Sequence, residues 1–368
     1  MTQVTYGVCG RFHAFSLAAN IETLGALEQV YCADKAWRPP SGIPSAKFHN
    51  RWDLAIRQRV GRYAPMLRSN SRDIEVEFDR WLLGKVRHLL PGVLHGWNLH
   101  VRQTFKGLKG QGWKLCLERS CPHNLFQDRL LKEEAAALKL SYRSDVQVLH
   151  EAIEELYLAD IISVPSRYSA RSYEDPALRA KVRINPLGCN FRPQARLNQV
   201  PQPLRVLMVG NEFLRKGTHY LIEAFGLIKE SNAELRIRGD IPSEYKHRIT
   251  DSRIKLIPPV TRSALDALYR WANVFCLPSI DDGFGLVALE ALSYGLPLVI
   301  TENVGAADVL NSSIARVVPI RDHRALHSAI DWARTLDRNH VWHEATKVLE
   351  QNSWPLSAKR QLINVYES

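Results

Sequence analysis

Two acidic residues, Asp282 and Glu290, stand in a pattern that could hold a carbohydrate. They belong to the segment LPSIDDGFGLVALEAL (277–292), in which a predicted strand ends at Leu277 and a predicted helix begins near Leu286. Asp282 lies in the intervening loop and Glu290 eight positions later, in the second helical turn, so both can reach one cleft. Ionised carboxylates are strong hydrogen-bond acceptors, and this pair could hold the hydroxyls of a sugar and of a ribose.

Small residues of the same loop favour a ligand close to the backbone. Gly283 and Gly285 flank Phe284, and free N–H groups at the helix start, from Leu286 onward, attract phosphate or sugar oxygens. An acidic loop that only caps a helix is the alternative, and it is adequate for the acid in the loop. It explains the helical acid less well, because that residue stands among apolar neighbours and a buried charge without a partner is expensive.

Apolar strand patterns alternate with amphipathic helical patterns along nearly the whole chain. This alternation predicts an α/β fold of parallel sheets that are covered by helices on both faces. The predicted strands form two series. The first is Val4–Cys9, Glu28–Cys32, Gly92–His95, Trp113–Leu117, Ile161–Pro165 and Val182–Asn185, and the second is Arg205–Val209, Ala233–Arg238, Ile254–Ile257, Val274–Leu277, Leu298–Thr301 and Ala315–Val318.

Length and composition predict how the chain divides, since 368 residues suit two domains. Residues 191–203 contain three prolines and four Gln or Asn with little apolar content, which is typical of a linker. We therefore expect one Rossmann-like domain over residues 1–190 and a second over residues 204–350. Apolar residues at helical spacing near the end predict that residues 351–368 return as a helix to the first domain.

The net charge of +11 is concentrated in the first half of the chain. Residues 1–203 hold 29 Lys and Arg against 19 Asp and Glu, whereas residues 204–350 hold 18 of each, and residues 35–114 alone carry 16 bases and 5 acids. A solvated basic surface, an anionic acceptor and an anionic membrane surface each explain this excess. The aromatic residues of this stretch form no recognisable nucleic-acid module, so we expect no nucleic-acid partner.

No segment predicts export or a membrane span. The longest apolar stretch, residues 283–301, is interrupted by Glu290, Gly295 and Pro297. The amino terminus lacks the pattern of a secretory signal, and the six cysteines include no C-x-x-C pair, which indicates reduced thiols. We expect a cytoplasmic protein that could contact the inner face of a membrane peripherally through residues 35–114.

The sequence D-G-F-G-L-x-x-L-E-A (282–291), followed by G-L-P-L-V-I-T-E-N (295–303), resembles retaining GT-B glycosyltransferases of the family-4 type. The signature of that family is two glutamates separated by seven residues. Residues 209–225 resemble its phosphate-binding segment, residues 236–240 the strand end beneath the nucleotide base, and residues 267–279 the strand before the acidic motif. The resemblance covers most of the chain and implies two Rossmann-like domains whose parallel sheets face each other across a cleft.

The resemblance implies a role for each acid of the motif. Asp282 falls on the acid that contacts the donor sugar, and Glu290 falls on the acid that contacts the nucleotide ribose. The family usually has Glu at the first position, so the reach of Asp282 is one methylene shorter and the donor preference is expected to differ.

The same resemblance implies phosphate and nucleotide contacts. Lys216 matches a lysine on the donor diphosphate, while Asn211 occupies the usual arginine position. Arg215 is expected to supply the missing charge, since fixed cations stabilise a departing nucleoside diphosphate. Gly239 lies at the strand end beneath the base. A surface lysine before a helix is the alternative for Lys216.

The first predicted strand leads into a turn at Gly10 and Arg11. Backbone amides at this turn could meet the diphosphate from the opposite side of the cleft. An ordinary strand–helix turn is the alternative. The sequence GRFH (10–13) resembles the corresponding loop of a bacterial subgroup of the family, which favours the ligand-binding interpretation.

Further candidates follow two strands of the first domain, and ligands of open α/β sheets bind at the carboxyl ends of strands. The segment LERSCPHN (117–124) resembles an E/D-R-x-x-x-H element of the same subgroup. His123 is the leading candidate for orienting the donor sugar or the acceptor, with Glu118 and Arg119 in support. His95 is a weaker candidate, because isolated histidines more often cap or fill structure.

Together these features predict a retaining glycosyltransferase, which would move a sugar from a UDP- or GDP-sugar to a hydroxyl of a glycan, polysaccharide or glycolipid. The resemblance implies that no metal is required, and no D-x-D pair follows a strand. Three alternatives remain open: a nucleotide-sugar epimerase, a phosphorylase, and a non-catalytic relative that binds glycans or anions.

Overall fold

Two parallel sheets form the framework of the protein. The computed structural model describes residues 2–35, 38–63, 71–194 and 203–367, without the side chains of residues 58–71. Seven strands form the first sheet in the order β3-β2-β1-β4-β5-β6-β7, and six form the second in the order β10-β9-β8-β11-β12-β13. The predicted α/β class with two Rossmann-like domains is confirmed.

The first sheet alternates with helices in the order of the sequence. Its strands are β1 (Val4–Val8), β2 (Leu27–Cys32), β3 (Phe48–Asn50), β4 (Val93–Trp97), β5 (Lys114–Glu118), β6 (Ile161–Val164) and β7 (Val182–Ile184). Its helices are α1 (Ala14–Thr23), α2 (Trp52–Tyr63), α3 (Ser71–Val86), α4 (Arg102–Leu108), α5 (Asn124–Leu138), α6 (Val146–Leu158), α7 (Arg167–Arg171) and α8 (Pro176–Arg179). The strand β3 was not predicted, because its three residues show no apolar run and it is defined by pairing with β2.

The second sheet repeats this arrangement. Its strands are β8 (Arg205–Val209), β9 (Glu234–Arg238), β10 (Ile254–Ile257), β11 (Val274–Leu277), β12 (Leu298–Thr301) and β13 (Ala315–Val318). Its helices are α9 (Thr218–Gly226), α10 (Ser243–Lys246), α11 (Arg262–Trp271), α12 (Leu286–Ser293), α13 (His323–Arg334) and α14 (Arg338–Gln351). Every residue of β11 and β12 is buried, as expected for strands covered on both faces.

The end of the chain packs against the first domain. Helix α15 (Trp354–Arg360) lies on α1 and continues into a π-helical segment, Gln361–Tyr366. The Tyr366 hydroxyl lies 2.7 Å from His95 Nδ1 and 3.0 Å from the Tyr6 hydroxyl. Of the predicted linker, residues 195–202 lie outside the described residues. None of the helices that the structure describes is long and apolar enough to span a bilayer.

The carboxyl edges of the two sheets face each other. Strand order reverses between β1 and β4 and between β8 and β11, which are the points where open α/β sheets form ligand crevices. Ser166, which follows β6, donates a hydrogen bond of 2.7 Å to the carbonyl of Gly283, which follows β11. The loops after the strands of both sheets therefore border one cleft.

Candidate functional site

A buried pair of opposite charges lies at the reversal point of the second sheet. The ammonium of Lys216, from the loop after β8, donates a hydrogen bond to the carboxylate of Asp282, from the loop after β11. Both side chains are buried. Two loops that are 66 residues apart in sequence thus place a cation and an anion together.

Glycines allow the loop after β8 and the loop after β11 to pack closely against each other. A Cβ atom at Gly217 would overlap the carbonyl oxygen of Pro278, and Gly217 also has a φ of +59°, which favours glycine. A Cβ atom at Gly210 would lie 3.2 Å from the side chain of Lys216. The loop after β8 can therefore pack directly against the loop after β11, with the lysine stem over Gly210.

Glu290 has partners of its own. Its carboxylate accepts hydrogen bonds from the guanidinium of Arg262, at the start of α11, and from the Tyr269 hydroxyl at 3.1 Å. Asp282 lies instead at the start of α12, where a Cβ atom at Gly285 would be 3.3 Å from its Oδ2 atom. Asp282 precedes α12 and Glu290 lies within it. Asp282 is bound to Lys216, whereas Glu290 is bound to Arg262.

Asp281, next to the predicted acid, connects the two domains. Its carboxylate is fully buried and accepts hydrogen bonds from the Tyr168 hydroxyl at 2.8 Å and from the amide of Gln127, both in the first domain. Arg215 lies 3.9 Å away. Burial raises the pKa of Asp281 in spite of these hydrogen bonds. This residue joins the donor loop to α5 and α7.

The other predicted donor-side residues lie around the same loops. Arg215 is bound to Glu212 at 2.6 Å, and Asn211 accepts a hydrogen bond of 2.7 Å from Arg238. Phe284 is buried in the core, and its carbonyl accepts a hydrogen bond from Ala306. A Cβ atom at Gly239 would overlap the carbonyl oxygen of Gly210, and Leu286 begins α12.

A buried carboxylate between two histidines lies at the carboxyl end of β5. The oxygens of Glu118 lie 3.3 Å from His13 Nε2 and 3.4 Å from His95 Nε2. Burial raises the pKa of Glu118, but the two imidazoles outweigh this effect and hold it below its usual range. Burial lowers the pKa of His95. We call these three residues the His–Glu–His cluster.

The loop after β1 supplies one member of the cluster. Gly10 has a φ of +128°, and the side chain of Arg11 is exposed and bound to Asp34 at 3.0 Å. His13 stacks on Trp354 with ring centroids 5.9 Å apart. The carboxyl-terminal helix therefore supports the site of the first domain.

The side chain of His123 contacts Leu125 and Tyr173, which lie outside this cluster. Its Nδ1 atom accepts a hydrogen bond of 3.3 Å from the backbone of Leu125 and caps α5. The side chain borders a cavity of about 300 Å³ whose lining belongs to the first domain and includes Arg129, Tyr157 and Glu174. Burial lowers the pKa of His123. Arg119 donates a hydrogen bond to the Pro122 carbonyl and supports the turn before it.

Comparison with known proteins identifies the second half of this site. Residues 193–348 match the family described as glycosyl transferases group 1. This match falls on the second domain, which we therefore call the group 1 domain. The group 1 domain therefore contributes the Lys216–Asp282 pair and Glu290, whereas the first domain contributes the His–Glu–His cluster.

Two curated relatives match part of this chain. An uncharacterized glycosyltransferase of Methanocaldococcus jannaschii is 29% identical over 177 residues, which cover 44% of each protein. A D-inositol 3-phosphate glycosyltransferase of Salinispora arenicola is 38% identical over 90 residues, 24% of this chain and 19% of the relative. The matches thus span less than half the length of these curated relatives.

A solved structure extends the likeness to both domains. Sucrose-phosphate synthase from Thermosynechococcus elongatus has a TM-score of 0.70 and 19% identity, and the match covers 99% of this chain and 98% of that chain. At this identity the likeness shows the fold. Two parallel-sheet domains with facing carboxyl edges form the GT-B fold, and the group 1 domain is its second half.

Three residues of the site escaped the sequence analysis. Asp281 is next to a predicted residue, and the D-D pair was its only signal. His13 belongs to the quoted GRFH motif, which had drawn attention to Gly10 and Arg11 instead. Arg262 has no motif and is identified only by its contact with Glu290.

Proposed function

We propose that this protein is a retaining glycosyltransferase that moves a sugar from a nucleotide-sugar donor to an acceptor hydroxyl. The observation that carries this proposal is the buried Lys216–Asp282 pair at the reversal point of a group 1 domain. A buried ammonium next to a strand end can receive a phosphate, and the adjacent carboxylate can then receive sugar hydroxyls.

The chemistry assigns a role to each group. The bond between the anomeric carbon and the diphosphate breaks, and a bond from the same carbon to the acceptor oxygen forms on the same face of the sugar. The acceptor proton passes to the departing phosphate oxygen. Lys216 stabilises the charge that develops on the diphosphate, Asp282 holds the sugar, and Glu290 holds the ribose hydroxyls. Cations of the chain balance the diphosphate, so this proposal requires no metal ion.

The first domain provides the acceptor side. The His–Glu–His cluster lies at a carboxyl strand edge that faces the donor loop, where an acceptor hydroxyl or a donor sugar could bind. His123 retains its proposed role as an orienting group through the cavity that it borders. The acceptor is a glycan, glycolipid or other hydroxyl compound, and the names of two similar proteins, an inositol-phosphate glycosyltransferase and a sucrose-phosphate synthase, are in line with an anionic one.

Donor binding and product analysis test this function. Thermal unfolding with UDP-, GDP- and ADP-sugars should show a rise in midpoint for one donor, because a ligand of the native state stabilises it. Transfer to an added acceptor with retained anomeric configuration, measured by NMR, supports the proposal. Isomerised nucleotide sugar would indicate an epimerase and sugar phosphate a phosphorylase, and binding without turnover would indicate a non-catalytic relative.

We also propose that residues 35–114 contact an anionic membrane surface from the cytoplasmic side. The basic excess of this segment supports the proposal, as do Trp52 and Ile56 of α2, whose side chains are exposed beside Arg57. Sedimentation with phosphatidylserine vesicles should exceed sedimentation with phosphatidylcholine vesicles. Equal sedimentation with both would contradict an electrostatic contact.

Closure of the cleft requires a residue without a side chain at position 283. A Cβ atom on Gly283 would overlap the carbonyl oxygen of Ser120 and come within 2.9 Å of Cys121 Cα in the first domain. Gly283→Ala should therefore lower the transfer rate by about 10- to 100-fold, because the donor loop can no longer reach its closed position.

Gly226→Ala is the matched control for this prediction. A Cβ atom at Gly226, the last residue of α9, meets no atom within 4 Å. Steady-state transfer assays of both variants decide the matter. Equal rates for Gly283→Ala and the unchanged protein would show that the contact with Ser120 is not needed for transfer.

A further inference from the structure

An arginine at the end of β9 has no carboxylate partner among the residues that the structure describes. Side chains of β9 alternate, so that Leu235 and Ile237 enter the core and Arg236 and Arg238 lie on the opposite face. Arg236 is bound to Glu234 at 2.6 Å and stacks on Trp271. Arg238 donates one hydrogen bond of 2.7 Å to the side-chain oxygen of Asn211, and none of the described carboxylates lies within ion-pair distance of it.

This guanidinium belongs to the donor site. Arg238 is the register partner of Val209, and its carbonyl accepts a hydrogen bond of 2.9 Å from the backbone of Gly210. The stem of Lys216 lies over the same Gly210. The turn formed by Gly210 and Asn211 therefore lies beside both cations at the carboxyl edge of the sheet: Lys216 from the loop after β8 and Arg238 from the end of β9.

Three other described cations at this edge already have carboxylate partners. Lys216 is bound to Asp282, Arg215 to Glu212, and Arg262 to Glu290. An anionic ligand must separate an ion pair before it can use any of them fully. At Arg238 the ligand has only to replace or supplement a hydrogen bond to the neutral amide of Asn211, and this costs less free energy than separating an ion pair.

We propose that Arg238 binds the diphosphate of the nucleotide-sugar donor and that Asn211 orients it. This inference rests on the proposed function. The missing cation at position 211 is thereby supplied by the adjacent strand, and not by Arg215. A guanidinium offers parallel N–H donors that match phosphate oxygens, and four of the five N–H groups of Arg238 remain for a ligand beside the bond to Asn211.

Nucleotide binding to Arg238→Gln and Arg236→Gln tests the proposal. Both variants remove one positive charge from the same face of the same strand. Calorimetric titration with UDP and GDP should show about 10- to 100-fold weaker binding for Arg238→Gln and less than about twofold change for Arg236→Gln. Uridine and guanosine should bind both variants like the unchanged protein, because they carry no phosphate.

The amide that holds Arg238 allows a second test. Asn211→Asp keeps the shape of the side chain but gives the guanidinium a carboxylate partner, so UDP or GDP should bind at least as weakly as to Arg238→Gln. Arg238→Lys should recover part of the affinity, since it restores charge without the planar donor geometry. Unchanged thermal unfolding of the variants in the absence of nucleotide should accompany both results.

The possible failures are distinguishable. If the unchanged protein binds UDP or GDP and Arg238→Gln binds it equally well, this inference is wrong and the proposed function stands. A loss that is equal for UDP and uridine would place Arg238 on the base and also overturn the assignment to the diphosphate. If the unchanged protein binds no nucleoside diphosphate, both the inference and the proposed function are overturned.

Discussion

Replacing Lys216 with alanine is expected to lower the rate of sugar transfer by about 10²- to 10³-fold, the effect of removing one fixed donor from a developing negative charge. The departing diphosphate loses its buried ammonium, and neither Arg215 nor Arg262 can take that place without leaving its own carboxylate. Transfer assays at saturating donor measure this change. Lys229→Ala, which removes an exposed lysine after α9, should leave the rate unchanged.

Loss of stability must be separated from loss of chemistry, because Lys216→Ala also leaves Asp282 buried and unpaired. The double variant Lys216→Ala, Asp282→Asn removes the unpaired charge. It should recover the thermal stability of the unchanged protein but no transfer. A double variant that transfers sugar at the original rate would show that neither member of the pair acts in the reaction.

Glu134→Ala is expected to destabilise the protein strongly, because it removes a buried carboxylate at the contact between the two domains. Glu134, on α5 of the first domain, is almost fully buried and is bound to Arg321 and to the Tyr220 hydroxyl of the second domain, with His219 3.4 Å away. Removing one partner of a buried pair costs about 3–5 kcal/mol. We expect about 2–4 kcal/mol because Arg321 is partly exposed and water can replace its lost partner.

The adjacent residue provides the control. Glu133 also binds Arg321, at 2.9 Å, but both side chains are exposed to solvent. Glu133→Ala should therefore cost no more than about 1 kcal/mol. Urea unfolding at neutral pH measures both free energies, and equal values for the two variants would contradict the interpretation that burial at the domain contact makes Glu134 important.

The effect of Glu134 should depend on pH in a defined direction. Burial raises its pKa, but the neighbouring His219 imidazole and the hydrogen bond from Arg321 outweigh this and hold the pKa below its usual range. A depressed carboxyl pKa stabilises the folded state above the unfolded pKa of about 4.3 and loses this contribution as pH falls further. The difference between Glu134→Ala and the unchanged protein should thus be constant at neutral pH and shrink below about pH 4.

Local patterns were sufficient to predict most of the framework. Runs such as Val274–Leu277 and Leu298–Thr301 are short, apolar and bounded by turn residues, so their burial in a parallel sheet could be inferred from the sequence. Asp282 and Lys216 could be singled out because each stands in a motif. Their direct bond could not be predicted, because it depends on the packing of Gly217 against Pro278.

The unpredicted parts depend on contacts between distant segments. That Glu290 shares a ligand with Asp282 stays a prediction, whereas its hydrogen bond from Arg262 joins α11 to α12 and has no motif in the sequence. Asp281 and Glu134 acquire their importance only when the two domains meet. Such partners have no fixed spacing in the sequence, so periodicity and propensity cannot identify them.

The carboxyl-terminal segment has a consequence for synthesis of the protein. Trp354 and Tyr366 fill space among residues of the first domain, and the Tyr366 hydroxyl binds His95, a member of the His–Glu–His cluster. A nascent chain emerges from the ribosome in sequence order, and domains generally fold as they appear. The groove beside α1 in the first domain therefore stays uncovered until the whole second domain and the segment that ends at residue 366 have been translated.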